Sequence, residues 1–319
     1  MLALRERVGG AVLGPLFTRP VGTLERALCE CGARCDKPED TENVTEFVVG
    51  EVRLTRVPYF DVALDAPIIG FTPQQVTSVP WSVPNWATAD GQVIIGQAIW
   101  VIETDDAMVV VDPCGASDPF LRTGPEATNH EAAVVQAMEA AGFPIGSVSV
   151  VILSHLDGIG MVASVDGPEE WSPLFPNARI VVSEPELTYV SDHPDTSGGA
   201  ALLSLNDQGF VDGIEPPYVI GSRVTMELTA GHSPGHTVIR IGEGAVFIGH
   251  LAVNPVQVHG GIMPYQHMDA VTAFAVLERE LTWAGEREAL VIGPLWPDPG
   301  AARVAGPPWV FSPAQPSCP

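Results

Sequence analysis

Histidine and aspartate side chains recur in this sequence directly after short apolar runs of the kind that form buried strands. Imidazole and carboxylate groups can ligate a metal ion, and they can also move protons as general acids and bases. Four such strand ends stand out, and a fifth has the same character. They are VVVDPCG at 109–115, VILSHLDGIG at 151–160, TAGHSPGH at 229–236, VFIGHLAVNP at 246–255 and VIGPLWPDPG at 291–300.

The elements that carry these strand ends follow from the spacing of the apolar residues. Alternating apolar and polar residues predict a half-buried strand at 45–57, and the apolar runs 93–104 and 107–112 predict a hairpin. Helical spacing predicts helices over 131–142 and 269–285. Hairpins on each side with helices between them predict an α/β protein with two mixed sheets in one domain.

In their order and spacing, the five strand ends resemble those of the metallo-β-lactamase superfamily from roughly Val44 to the C-terminus. That superfamily has a D-x-G turn, an H-x-H-x-D-H loop, a G-H-T-x-G-H turn, a G-D turn and a final G-H turn at successive strand ends. The most specific match is GHSPGH at 231–236, followed by a hairpin and FIGH. The resemblance implies an αββα four-layer sandwich, in which two mixed β-sheets are flanked by helices.

Several of the superfamily's site residues have a counterpart in this chain. The resemblance assigns His155 to the first histidine of the H-x-H-x-D-H loop and Asp157 to its aspartate. It assigns His232 to the third metal-binding histidine and Asp112 to the D-x-G aspartate, which orients the site from behind.

Other ligand positions depart from the superfamily pattern. The second histidine of the loop is lost, and Gly158 stands where the last histidine of the loop would be. The bridging aspartate is replaced by His250, and the final histidine is replaced by Leu295. A dinuclear zinc site needs about three ligands per metal together with a shared water and carboxylate. The resemblance therefore implies a degenerate site without the standard pair of zinc ions.

Two alternatives for this site stay open. His155, His232 and His250 match the positions of the single iron site in the dioxygenase branch, where the last residue is an aspartate. Three imidazoles would suit one Zn²⁺ or Fe²⁺ ion, with Asp157 as a nearby base. In the metal-free alternative, paired groups such as His155 with Asp157, or His232 with His236, act as general acid and base. On either alternative the catalytic candidates are His155, Asp157, His232 and His250.

Five further residues are candidate substrate contacts. Cys114 follows the Asp112 turn, and an inert buried thiol is the alternative there. His236 supports the loop in the superfamily turn, and His259 lies in a segment that could border the pocket. Leu295 and Trp296 form an apolar pair at the last strand end, which would exclude water from the pocket and suit an apolar substrate. The five residues are Cys114, His236, His259, Leu295 and Trp296.

The charge and the termini restrict the partners. The chain has 39 acidic and 15 basic residues, for a net charge of −24, which disfavours binding to nucleic acid or to anionic membranes. The sequence has no apolar run of about 18 residues and no clear signal peptide. Three cysteines in the segment LCECGARC at 28–35 fit a reduced, mobile N-terminal segment. We therefore expect a cytoplasmic protein with an N-terminal extension at 1–45, partly flexible, and a domain at 46–319.

The function expected from the sequence is that of an enzyme acting on a small, fairly apolar organic molecule. The resemblance implies hydrolysis of an ester, lactone or thioester, and the altered ligands permit lyase, cyclase or isomerase chemistry. The alternative is an inactive pseudoenzyme that binds a ligand or a partner protein. His250 favours an enzyme, because it places a ligating and titratable group where decay could have placed any residue. The oligomeric state stays open.

Overall fold

The computed structural model describes residues 44–113, 130–155, 163–167, 170–196, 198–260 and 267–317. These residues belong to one compact unit of the chain. Residues 1–43 of the expected N-terminal extension, Cys114 and Asp157 lie outside the described residues, so their assignments stay predictions.

The first sheet contains strands from the N-terminal half of the described chain. Its strands are β1 (Thr45–Val49), β2 (Val52–Leu64), β3 (Val93–Glu103), β4 (Met108–Val111), β5 (Val150–Leu153), β8 (Arg179–Ser183) and β9 (Val211–Ile214). They lie in the order β1-β2-β3-β4-β5-β8-β9. Pairing is antiparallel from β1 to β4 and parallel from β4 to β9. Strands β6 (Ala163–Gly167) and β7 (Glu170–Pro173) form a separate two-stranded sheet.

The second sheet contains the strands that follow in the chain, in sequential order. They are β10 (Tyr218–Ile220), β11 (Val224–Leu228), β12 (Thr237–Ile241), β13 (Ala245–Phe247), β14 (Leu290–Ile292), β15 (Ala301–Ala305) and β16 (Val310–Pro313). Pairing is antiparallel except between β13 and β14, which are parallel. A parallel pair needs a crossover connection, and a long helix supplies it here.

Six α-helices lie in the described part of the chain, and side-chain caps mark the start of several of them. They are α1 (Pro73–Thr77), α2 (His130–Ala140), α3 (Glu184–Asp192), α4 (Gly199–Asp207), α5 (Val256–Gly260) and α6 (Ala270–Arg287). The Ser183 hydroxyl accepts a hydrogen bond from the first turn of α3, and the Asp269 carboxylate does the same for α6. None of these helices combines the length and apolar character that crossing a bilayer requires.

Three apolar clusters define the layers. One lies between the two sheets and includes Trp100 of the first sheet and Phe247 of the second, whose rings meet edge to face at 5.4 Å. A second covers the outer face of the first sheet with side chains from α2, α3 and α4. A third covers the outer face of the second sheet with side chains from α6. This arrangement confirms the expected αββα sandwich.

The observed elements differ from the sequence prediction at one end of the first sheet. The strand expected over 45–57 is two strands, because Gly50 adopts a φ of 62° and lets the chain reverse between them. The expected hairpin is β3 and β4, and the two expected helices are α2 and α6. The elements beside the polar strand ends therefore lie where the apolar pattern predicts them.

Candidate functional site

Three histidines from three different strand ends meet in the structure. His155 follows β5, His232 lies in the loop between β11 and β12, and His250 lies in a short 3-10 turn after β13. All three are buried, and one ligating nitrogen from each lies within 4.8 Å of the others. The structure thus brings together the three residues that the sequence singles out as metal ligands.

The rings of these three histidines are packed against one another. The centroids of His155 and His250 are 4.2 Å apart, and those of His155 and His232 are 5.2 Å apart. His232 and His250 lie 5.6 Å apart with their rings nearly perpendicular, at 82°. The three rings therefore form one compact buried group of imidazoles.

A chain of hydrogen bonds fixes the orientation of His155. The Asp112 carboxylate accepts from the Ser154 backbone N–H at 2.7 Å and from the Ser154 hydroxyl. Because that hydroxyl gives its only proton to the carboxylate, its oxygen accepts from Nδ1 of His155, 2.6 Å away. His155 therefore carries its proton on Nδ1 and presents Nε2 as the ligating nitrogen.

Glu186 holds the loop that carries His232. Its carboxylate is fully buried and accepts from the Ser233 hydroxyl at 2.7 and 2.8 Å and from the Gly235 backbone N–H at 2.8 Å. The Ser183 hydroxyl donates to the Gly235 carbonyl at 2.6 Å. The sequence gives no sign of this role, because a glutamate in the first turn of a helix is normally exposed to solvent.

His236 stands behind the three-histidine group. Its ring is fully buried and its Nδ1 lies 2.8 Å from the Thr229 hydroxyl. Burial lowers the pKa of His236 well below its ordinary value, and the nearby His232, His250 and His267 lower it further, whereas the hydrogen bond with Thr229 raises it. His236 is therefore neutral at neutral pH and supports the loop.

A fourth histidine, His267, borders the group on the side of His232. The Nδ1 atoms of the two rings are 3.0 Å apart. Burial and, to a smaller extent, the neighbouring His232 and His250 together lower the pKa of His267 to about 4. The apolar pattern gives no sign of this contact, because 35 residues separate His267 from His232 in the sequence.

The turn that presents His250 depends on the glycine before it. Gly249 has a φ of 52°, in the left-handed region that favours glycine. A Cβ at this position would lie 2.4 Å from Nε2 of His236 and 3.1 Å from Oγ of Ser154. Close packing of the turn against the other histidines therefore requires glycine at this position.

The remaining sequence candidates lie at different places. Leu295 and Trp296 are buried in the cluster beneath α6, and the Trp296 indole N–H donates to the Ala252 carbonyl at 3.0 Å. Trp296 thus packs behind the turn that carries His250. His259 is exposed, and its ring contacts Trp81 edge-on at 6.0 Å. Substrate contact by Leu295, Trp296 and His259 stays a prediction.

Arg56 anchors the strand end that carries Leu295 and Trp296. Its guanidinium group is almost fully buried and donates to the Trp296 carbonyl at 3.3 Å. The carboxylates of Asp61 and Asp298 lie 3.5 and 3.7 Å from it. The segment that contains Leu295 and Trp296 is therefore fixed by a buried cation.

Among the described residues, the donor set fits one divalent ion. Three buried imidazoles, with His155 and His232 each bonded outward through Nδ1, are the type of ligand that zinc and iron accept. A second ion would need about three further ligands, including a bridging carboxylate. The described residues offer no other group of three ligating side chains close enough to hold an ion.

No protein family profile and no curated protein matches this sequence. Solved structures do match the fold. AidC, a dizinc quorum-quenching lactonase solved with its product, aligns with a TM-score of 0.67 at 19% identity, over 87% of this chain and 99% of that chain. The hydrolase AbOPH, of the β-lactamase superfamily, aligns with a TM-score of 0.68 at 18% identity, over 85% and 97% of the two chains.

A third similar structure is a probable metal-dependent hydrolase from Staphylococcus aureus. It aligns with a TM-score of 0.59 at 14% identity, over 81% of this chain and 94% of that chain. At these identities the likeness establishes the fold and leaves the chemistry to the residues of the site. The order of the strands, the four layers and the structural matches together show that this chain has the metallo-β-lactamase fold.

Proposed function

We propose that this chain is a metal-dependent hydrolase that binds one zinc or iron ion through His155, His232 and His250. Its substrate is a small, fairly apolar molecule with an ester, lactone or thioester bond. The observation that carries the proposal is the convergence of three buried imidazoles, whose ligating nitrogens lie within 4.8 Å of one another. Convergence from three separate strand ends is the arrangement expected of a ligand set.

The residues around the three histidines support a metal site. The hydrogen bonds from Asp112 through Ser154 fix His155 with its Nε2 available as a ligand, and outer partners of this kind raise metal affinity. A divalent ion with open positions would polarise the carbonyl group of a substrate. Neutral imidazoles leave the positive charge of the ion uncompensated, which strengthens that polarisation.

The fold neighbours include hydrolases of the proposed type. AidC is a lactonase, and another similar structure, an N-acyl homoserine lactone hydrolase at 17% identity, holds its product at a catalytic metal centre. This chain differs in its ligand set, because His250 and Leu295 replace an aspartate and a histidine of the superfamily pattern. We therefore propose the same class of bond cleavage with one ion in place of two.

Metal-free acid–base catalysis is the second candidate, and one observation favours it. His155 is linked through Ser154 to the buried carboxylate of Asp112, and a carboxylate behind a histidine can orient it as a general base. Lyase, cyclase or isomerase chemistry would then replace hydrolysis. The two candidates differ in whether activity survives removal of metal.

A substrate panel tests the proposal. Aryl esters, lactones and thioesters with apolar chains are offered to zinc-loaded, iron-loaded and chelator-treated protein. We expect hydrolysis by the metal-loaded protein and a loss of kcat/KM of about 100-fold or more in His232→Ala. His193→Ala, which alters an exposed histidine directly after α3, should keep normal rates. Activity that survives chelation would favour the acid–base candidate. Tight ligand binding without turnover would favour a pseudoenzyme.

A further inference from the structure

The contact between His267 and His232 is a buried pair of imidazoles at the edge of the three-histidine group. The two Nδ1 atoms are 3.0 Å apart, and the rings are nearly perpendicular, at 89°. Only 9% of the surface of His267 is exposed. The pair therefore has the distance and burial of a specific hydrogen bond.

Backbone hydrogen bonds hold the two segments together beside this contact. The Met268 N–H donates to the His232 carbonyl at 3.1 Å, and the Asp269 N–H donates to the Gly231 carbonyl at 2.8 Å. A Cβ on Gly231, whose φ is 139°, would lie 2.5 Å from the backbone of the first turn of α6. The start of α6 is thus fixed against the loop, and the imidazole contact does not depend on a single flexible side chain.

The chemistry of the pair restricts where the protons are. A contact between two Nδ1 atoms needs one N–H group and one lone pair, so only one of the two rings carries its proton on Nδ1. An imidazole that ligates a metal through Nε2 carries its proton on Nδ1. We propose that His267 is the positioning residue that accepts the Nδ1–H of His232 and so directs Nε2 of His232 toward the ion. This inference rests on the metal site of the proposed function.

In this arrangement His155 and His232 each have an outer partner. Behind His155 the acceptor is a hydroxyl linked to a buried carboxylate, and behind His232 it is a neutral ring. An acceptor His267 holds its own proton on Nε2, an atom without a hydrogen-bond partner among the described residues. His267 therefore orients His232 without adding a negative charge beside the site.

Two substitutions at position 267 separate the hydrogen bond from packing. His267→Asn keeps an acceptor close to the place of Nδ1, whereas His267→Leu has a comparable size without an acceptor. Imidazole ¹⁵N NMR on zinc-free protein reports which nitrogen of His232 carries the proton. Competition with a chelator of known affinity then gives the zinc dissociation constant of each variant.

We expect His232 to carry its proton on Nδ1 in the wild type and in His267→Asn. In His267→Leu we expect that preference to be lost and zinc affinity to fall about 10- to 100-fold, with the asparagine variant within about threefold of the wild type. A proton on Nε2 of His232 in the wild type, or unchanged zinc affinity in His267→Leu, would overturn the inference. Wild-type protein that keeps the Nδ1 proton but binds no zinc would overturn the metal site and still support His267 as the acceptor.

Discussion

Gly249 shows how one residue sets the position of a candidate ligand. The turn after β13 approaches so closely that a Cβ would lie 2.4 Å from Nε2 of His236. His250 follows directly and meets His155 at a ring distance of 4.2 Å. The absence of a side chain at position 249 is therefore as important to the site as the imidazole at position 250.

Substitution of Gly249 tests this dependence. Gly249→Ala should lower the free energy of unfolding by about 2–4 kcal/mol, because it adds a steric clash to left-handed backbone strain. It should also weaken zinc binding, because the turn must shift. Denaturant unfolding and chelator competition measure the two effects.

Gly242→Ala is the matched control for this substitution. Gly242 has a nearly identical φ of 51°, but a Cβ there would meet nothing within 4 Å. It should lose only about 1–2 kcal/mol, from backbone strain alone, with normal zinc affinity. Equal effects of the two substitutions on zinc binding would show that the close approach at Gly249 is unimportant.

At the scale of elements, α3 is the support of the loop that carries His232. Glu186, in its first turn, accepts hydrogen bonds from Ser233 and Gly235, on either side of Pro234. The loop joins two strands of the second sheet, and Glu186 thereby fixes it to α3, which packs on the outer face of the first sheet. A long-range contact of this kind, across 47 residues, joins the two halves of the fold at the site.

Removal of the Glu186 carboxylate tests this support. Glu186→Ala should lower the free energy of unfolding by about 2–4 kcal/mol, because two buried donors lose their acceptor and a cavity remains. Glu184→Ala, at an exposed position in the same helical turn, should change it by less than about 0.5 kcal/mol. If urea unfolding gave similar losses of unfolding free energy for the two variants, Glu186 would not be the support of the loop.

Sequence patterns predicted the helices and strands well, but they did not predict the contacts between them. The apolar spacing that predicted α6 and the β3–β4 hairpin reflects local burial, which a single segment reveals. Glu186 and His267 could not be found in this way, because each acts on the loop of His232 from a distant part of the chain. The three proposed ligands were found from their places after strands, together with the superfamily resemblance.

At the scale of the whole molecule, buried neutral histidines make stability depend on pH. The pKa of His267 is about 4 in the folded protein, whereas an unfolded histidine has a pKa of about 6.5. Between these values the unfolded chain binds more protons, so the stability is fully present above pH 6.5 and is lost as the pH falls toward 4. The lowered pKa of His236 acts in the same direction.

Unfolding measured in the presence of chelator tests this dependence. The free energy of unfolding of metal-free wild type should fall between pH 6.5 and pH 4, and His267 should account for about 3 kcal/mol of that loss. His267→Asn lacks the titrating ring, so its curve should be shallower over the same interval. The comparison cancels the repulsion among the 39 acidic residues, which both proteins share. Parallel curves for the two proteins would contradict a buried neutral His267.

Metal content measured by mass spectrometry on freshly purified, untagged protein tests the central claim most directly. Wild type, His232→Ala and the exposed-site control His193→Ala would be produced side by side in medium that contains both zinc and iron. The single-ion site predicts about one zinc or iron ion per chain in the wild type and in the control, and loss of the ion in His232→Ala. Metal-free wild type, or an ion retained by His232→Ala, would contradict a metal centre on His155, His232 and His250.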